Sequence, residues 1–197
     1  MESAVWKEIL QYYFVETGLG FAIAGAIAAV SLGCIGSAHG IRLAAGQAAG
    51  VMSEKPELFG RLLILIALPG TQGFYSFVIA VLIAVYSGLT KATVAASPPV
   101  GLAFLAIGVF AGASEYRSAV HQGATSAASI NLTAKRPSEF GRSVLLPALV
   151  ETYAVVTLLA SILLIIWVSN ANLKLAEPKP RFAPPAVEEA TPAPETE

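Results

Sequence analysis

The chain has 197 residues, of which 55% are hydrophobic and only 13% charged, and its mean hydropathy is +0.68. A soluble domain carries charge on roughly a quarter of its residues, so a soluble enzyme, a nucleic-acid-binding protein and a secreted disulfide scaffold are excluded. The net charge of −1 implies no polyanionic partner, and the single cysteine, Cys34, permits no internal disulfide or cysteine-based metal site.

The N-terminal segment, residues 1–16, contains Glu2, Lys7, Glu8 and Glu16 and is not basic. The charge-free run behind it is longer than the core of a signal peptide, so the first span is expected to be retained. That run, Thr17–Ile41, contains no Asp, Glu, Lys or Arg, and neither do Leu62–Thr90 and Ala92–Ser114. Ser143–Leu173 is interrupted only by Glu151. Each run exceeds the roughly 20 apolar residues that cross a bilayer, so the expected fold is an all-α membrane protein with four transmembrane helices.

An internal repeat pairs these helices. Lys55-Pro56 followed by Phe59-Gly60-Arg61 recurs, with the same internal spacing, as Arg136-Pro137 followed by Phe140-Gly141-Arg142. The chain therefore reads as two tandem helical hairpins, residues 17–90 and 91–172. Gly, Ala, Ser and Cys make up more than half of Thr17–Ile41, whereas Leu, Ile, Val, Phe and Tyr make up more than half of Leu62–Thr90. Small residues let helices approach closely in lipid, where no hydrophobic drive acts between them. Gly36-xxx-Gly40, Gly46-xxx-Gly50 and Gly108-xxx-Gly112 carry that signature. Helices 1 and 3 are expected inside, helices 2 and 4 outside, in an oligomer in preference to a lone bundle.

Arg42, Lys55, Arg61, Lys135, Arg136 and Arg142 cluster at the hairpin connectors, against Lys7, Lys91 and Lys174 at the other side. Lys and Arg mark the cytoplasmic side, which puts the connectors inside the cell and both termini outside. Residues 173–197 are rich in Pro and Glu and cannot bury enough apolar surface to fold alone. They read as a disordered tail.

Glu151 carries the most information about function. An ionised carboxylate inside the hydrocarbon is costly unless it is protonated, paired or bound to a cation, so such a residue reads as an ion or proton site. The other reading is a protonated Glu that glues helices together. In the first hairpin, Leu68-Pro69-Gly70-Thr71-Gln72-Gly73-Phe74-Tyr75 interrupts the apolar run, and alignment of the repeats sets Gln72 opposite Glu151. The site would then hold one charge per chain. Pro69 removes a helix hydrogen bond and frees the carbonyl of Leu65 first. Gln122 adds an amide from helix 3. Thr71, Gln72, Gln122, Glu151 and one backbone carbonyl make about five oxygen ligands, a set that suits a hard cation better than a proton.

The segments Leu68–Tyr75 and Val150-Glu151-Thr152-Tyr153-Ala154 resemble the two signature segments of the V-type ATPase proteolipids, the K-type subunits of V/A-type ATPases. The resemblance covers roughly Thr17 to Asn172. It implies a four-helix protein in a closed rotor ring that carries Na⁺, or less readily H⁺, through the membrane without catalysing a reaction itself. In the sodium-binding form, Glu151 would be the ion-carrying carboxylate. Gln122 and Gln72 would offer side-chain oxygens, Thr71 its hydroxyl and Leu68 its backbone carbonyl. Tyr75 would lock the site through a hydrogen bond to Glu151. The implied partners are further copies of the chain, a stator a/I-type membrane subunit, central-stalk subunits at connectors such as 46–59 and 127–140, and the lipid bilayer, here a bacterial plasma membrane. No organic cofactor is implied. The chain has no GxxxxGK[ST] loop, so ATP would be bound elsewhere in the complex.

Glu115 and Arg117 do not follow the family pattern. They read first as a paired polar set facing the interior of a wide ring, and second as an auxiliary acid near the ion path. His39, Arg42 and Gln47 receive no chemical role. The competing function is a stand-alone oligomeric channel or secondary transporter, which ring stoichiometry would separate from a rotor.

Overall fold

In lipid each backbone amide must find its partner within its own segment, and the apolar runs accordingly form helices. The computed structural model describes residues 2–90 and 95–176, with side chains over 5–90 and 95–171. Lys91 and the tail from residue 177 lie outside the described residues. Helix α1 (Glu2–Gln11) continues into a π-helical turn, Tyr12–Glu16, before α2 (Leu19–Glu54) begins. Helices α3 (Phe59–Ala67) and α4 (Thr71–Tyr86) follow, then α5 (Pro98–Lys135) and α6 (Phe140–Ala176). Among the described residues, four spans are long and apolar enough to cross a membrane: Leu19–Glu54, Pro56–Tyr86, Pro98–Lys135 and Pro137–Ala171.

The helices outrun the charge-free segments. At about 1.5 Å per residue, the 36 residues of α2 and 38 of α5 extend well past a hydrocarbon core of about 30 Å. The connectors expected over 46–59 and 127–140 are therefore mostly helix. Each shrinks to one non-helical residue, Lys55 or Arg136, and a 3₁₀ turn, Pro56–Leu58 or Pro137–Glu139. The residue before proline is pushed out of the helical region, and Lys55 (φ −134°, ψ 70°) and Arg136 (φ −138°, ψ 79°) adopt the same backbone. The repeat thus builds the same corner twice. At the other end, α6 reaches Ala176, so residues 173–176 extend the last helix instead of opening the tail.

Small residues join α2 to α5 side by side and parallel. A β-carbon on Gly25 would lie 2.5 Å from the Phe104 carbonyl oxygen, and β-carbons on Gly101, Gly108 and Gly123 would strike the backbone of Gly18, Gly25 and Gly40. Gly36 meets the backbone of Tyr116, and Gly112 that of Ala29. Gly46-xxx-Gly50 does not share this role, because open space surrounds both positions within the chain. Helices α4 and α6 pack outside this pair and present Phe74, Phe77, Val81, Leu149, Tyr153, Leu163 and Trp167 outward.

Two apolar clusters form the core. One gathers Ile79, Ile83, Val100, Phe104 and Ile165; the other gathers Leu58, Leu62, Leu65 and Ile130 near the hairpin corners. A buried polar band of Ser37, Gln72, Ser76, Glu115, Gln122 and Ser126 separates them. At the corners, Lys55 Nζ donates to the Ala134 carbonyl at 2.7 Å and Arg61 to the Pro137 carbonyl at 2.8 Å. Gln47 Nε2 donates to Asn131 Oδ1 at 2.6 Å and continues this tie between the hairpins.

Candidate ion-binding site

The polar band converges where α4, α5 and α6 meet. Pro69 falls in a 3₁₀ turn, Leu68–Gly70, that separates α3 from α4. The turn leaves the Leu68 carbonyl facing Thr71, which donates to it through its backbone amide and, at 3.0 Å, through its hydroxyl. The carbonyl that meets the polar side chains is thus that of Leu68 and not that of Leu65, the choice suggested by proline geometry alone. A 3₁₀ turn binds i to i+3, which shifts the acceptor toward the turn itself.

Glu151 is half-buried on α6. Its Oε1 accepts from the Tyr75 hydroxyl at 2.8 Å, and its Oε2 accepts from Gln122 Nε2 at 3.3 Å. Gln122 is fully buried and also donates to the Pro147 carbonyl at 3.1 Å. Gln72, also fully buried, donates through Nε2 to Gln122 Oε1 at 2.6 Å. The Thr71 hydroxyl reaches Gln72 Oε1 at 3.3 Å. One connected network therefore contains Thr71, Gln72, Gln122 and Glu151, which the polar pattern nominated, and Leu68 and Tyr75, which the family resemblance added.

Three further groups support the network. Ser118 Oγ accepts from Gln72 Nε2 at 3.4 Å. It lies four residues before Gln122, on the same helical face, and that spacing could have identified it. Ser37 Oγ accepts from the Gly73 amide at 2.8 Å and fastens α4 to α2. The Pro147 carbonyl carries no signal in residue type, since every residue has a carbonyl. Pro147 itself sits inside α6 without ending it.

The polar groups near the site differ from the expected pairing. Glu115 is fully buried, with no hydrogen-bond partner for either carboxyl oxygen, whereas Arg117 is exposed. They form no ion pair; the salt bridge found among the described residues joins Arg142 to Glu139 at 3.0 Å. Two residues apart on a helix, the side chains diverge by about 200° and cannot meet. His39 Nδ1 lies 3.2 Å from the Tyr116 hydroxyl, a contact between α2 and α5 away from the network. Arg42 is exposed.

The ATP synthase C-subunit family matches residues 18–83 and 105–164, a stretch in each hairpin. The V-type sodium ATPase subunit K of Enterococcus hirae is 37% identical over 159 residues, covering 80% of this chain and 99% of that protein. The A-type ATP synthase subunit K of Methanocaldococcus jannaschii is 35% identical over 150 residues, 75% of this chain and 63% of that protein. With four membrane-spanning helices in two hairpins and these matches over most of its length, the chain belongs to the ATP synthase C-subunit family as a doubled, non-catalytic, ion-translocating membrane component of a rotary ATPase.

Proposed function

We propose that this protein carries Na⁺, with H⁺ the less favoured ion, on Glu151 as a ring of identical copies turns in the membrane. The observation that supports this reading most is the unbroken network from Leu68 to Glu151. A proton needs only the carboxyl group, whereas a metal cation needs a shell of oxygens. Glu151 contributes its carboxylate, Gln122 and Gln72 their Oε1 atoms, Thr71 its hydroxyl and Leu68 its carbonyl. Tyr75 holds Glu151 in line.

Transport follows from the dielectric. The bare carboxylate is costly against lipid, roughly 3 kcal/mol on insertion scales, while the carboxylate with its cation is near neutral. A loaded site can therefore turn through lipid and an empty one is held back. The ion enters and leaves through a stator a/I-type subunit. The hairpin corners face the cytoplasm and meet central-stalk subunits, both termini lie outside, and the membrane is the bacterial plasma membrane. The tandem hairpins remain the units of this arrangement, residues 17–90 and 91–172. The groove between α2 and α4 lined by Val30, Cys34, Ile41, Gly70 and Phe74, about 580 Å³, suits a helix of the adjoining copy.

A carboxyl-directed carbodiimide reacts with the protonated acid, so bound Na⁺ should protect Glu151. Labelling of Glu151 in the assembled complex is expected to slow in the presence of Na⁺ and to speed up without it. Labelling indifferent to Na⁺ would replace the sodium reading with a proton ring. Tyr75→Phe removes a hydrogen bond to a charged group, worth about 1.5–3 kcal/mol. The Na⁺ concentration giving half-protection is then expected to rise about tenfold or more, and an unchanged value would remove the locking role of Tyr75.

A further inference from the structure

Among the described residues, Glu115 is the only acid or base that is fully buried, and the network at Glu151 does not use it. It lies seven residues outward of Gln122, close to two helical turns, and so on the same face of α5. Ser118 stands between them on that face and bonds Gln72. Ala111, one turn farther out, belongs to the apolar cluster around Phe104. Glu115 thus sits where the polar band ends.

The ionised form has nothing to hold it there. Neither carboxyl oxygen accepts a hydrogen bond, the neighbouring Arg117 is exposed, and no ion pair reaches Glu115. A charge so placed, in a helix crossing lipid, is costly by several kcal/mol. A metal cation needs a shell of several oxygens, and no hydrogen-bonding group meets either oxygen of Glu115. A proton removes the charge and needs no oxygen shell, leaving only the smaller cost of an unpaired neutral acid. The repeat shows that this acid is not part of the duplicated frame: the equivalent position of the first hairpin holds Cys34, which is exposed. The feature belongs to the second hairpin alone.

We propose that Glu115 is a second cation site of the chain and that the cation it takes is a proton, held as a neutral carboxylic acid whichever ion occupies the cluster at Glu151. The two acids of one chain then take different ligands. The oxygen-rich one binds a metal cation; the isolated one binds H⁺. The assignment requires only that α5 spans the membrane, and stands independently of Na⁺ at Glu151.

Infrared spectroscopy of the assembled ring in lipid, at neutral pH and saturating NaCl, tests it. The unaltered ring is expected to show one carboxylic-acid C=O stretch per chain from this site. Glu115→Gln should lose it, and Glu151→Gln should keep it. Absence of that stretch in the unaltered ring, or its persistence in Glu115→Gln, overturns the proposal. Should Glu115→Gln fail to assemble, the unaltered ring is treated with a lipophilic carbodiimide while Na⁺ shields Glu151. The acid proton passes to a carbodiimide nitrogen as the carboxyl oxygen attacks the central carbon, and peptide mass spectrometry should find the adduct on Glu115. No adduct there overturns the proposal. Sodium-insensitive labelling of Glu151 with the Glu115 stretch intact would instead remove the sodium reading and leave this one standing.

Discussion

Glu151→Gln is expected to abolish ATP-driven ion transport, to the level of vesicles lacking the complex, while the ring still assembles. The amide has the shape of the carboxyl group, and its oxygen can still accept from the Tyr75 hydroxyl, which donates at 2.8 Å in the unaltered chain. What it lacks is the charge that makes cation binding favourable. A residue that merely glues helices would largely tolerate the exchange, because the shorter bond, from Tyr75, survives and only the 3.3 Å bond from Gln122 is lost. Flux measured in reconstituted vesicles, beside the amount of assembled ring, separates the two. Sustained Na⁺ or H⁺ transport by Glu151→Gln would end the case for an ion carrier at this position.

Gly108→Val is expected to destabilise the chain by about 3 kcal/mol or more, at or above the upper end of ordinary overpacking, and to remove most of the assembled ring. The new β-carbon would strike the carbonyl and Cα of Gly25. Backbone atoms cannot step aside as a side chain can, so the two inner helices must separate along their length. The neighbouring close contacts at Gly18–Gly101 and Gly40–Gly123 would loosen with them. Gly46→Ala serves as the control. Open space surrounds Gly46 within the chain, and alanine favours a helix over glycine by about 1 kcal/mol, so assembly should persist. Thermal melting and ring yield report both variants. Normal assembly of Gly108→Val would mean that α2 and α5 do not meet as described.

The four spans and their pairing are legible in the sequence because lipid excludes charge, so the spacing of Lys, Arg and Glu outlines the helices. Small residues mark α2 and α5 as the close pair for a similarly direct reason. Helix length is not legible, since α2 continues past Arg42 to Glu54 and only the Lys55-Pro56 corner stops it. Glycine spacing alone does not say which helix is faced: Gly46 and Gly50 meet no atom of their own chain. Within the site, unusual side chains in an apolar run stand out, and Thr71, Gln72, Gln122 and Glu151 join one network. Choosing between the Leu65 and Leu68 carbonyls requires the 3₁₀ turn, and the Pro147 carbonyl requires the distance from Gln122. Helical spacing sets Glu115 on the face of Gln122 and Arg117 on another, and the two accordingly differ in burial and form no ion pair.

The corner ties have a mechanical consequence. Toward the hairpin corners, Gln47 to Asn131 ties α2 to α5, Lys55 at the end of α2 bonds Ala134 of α5, and Arg61 at the start of α3 bonds Pro137 of the second corner. A braced pair of rods resists torsion far better than a flexible loop of equal length. Anything gripping these ends would apply its twist to the whole bundle with little elastic lag, because almost no slack segment intervenes.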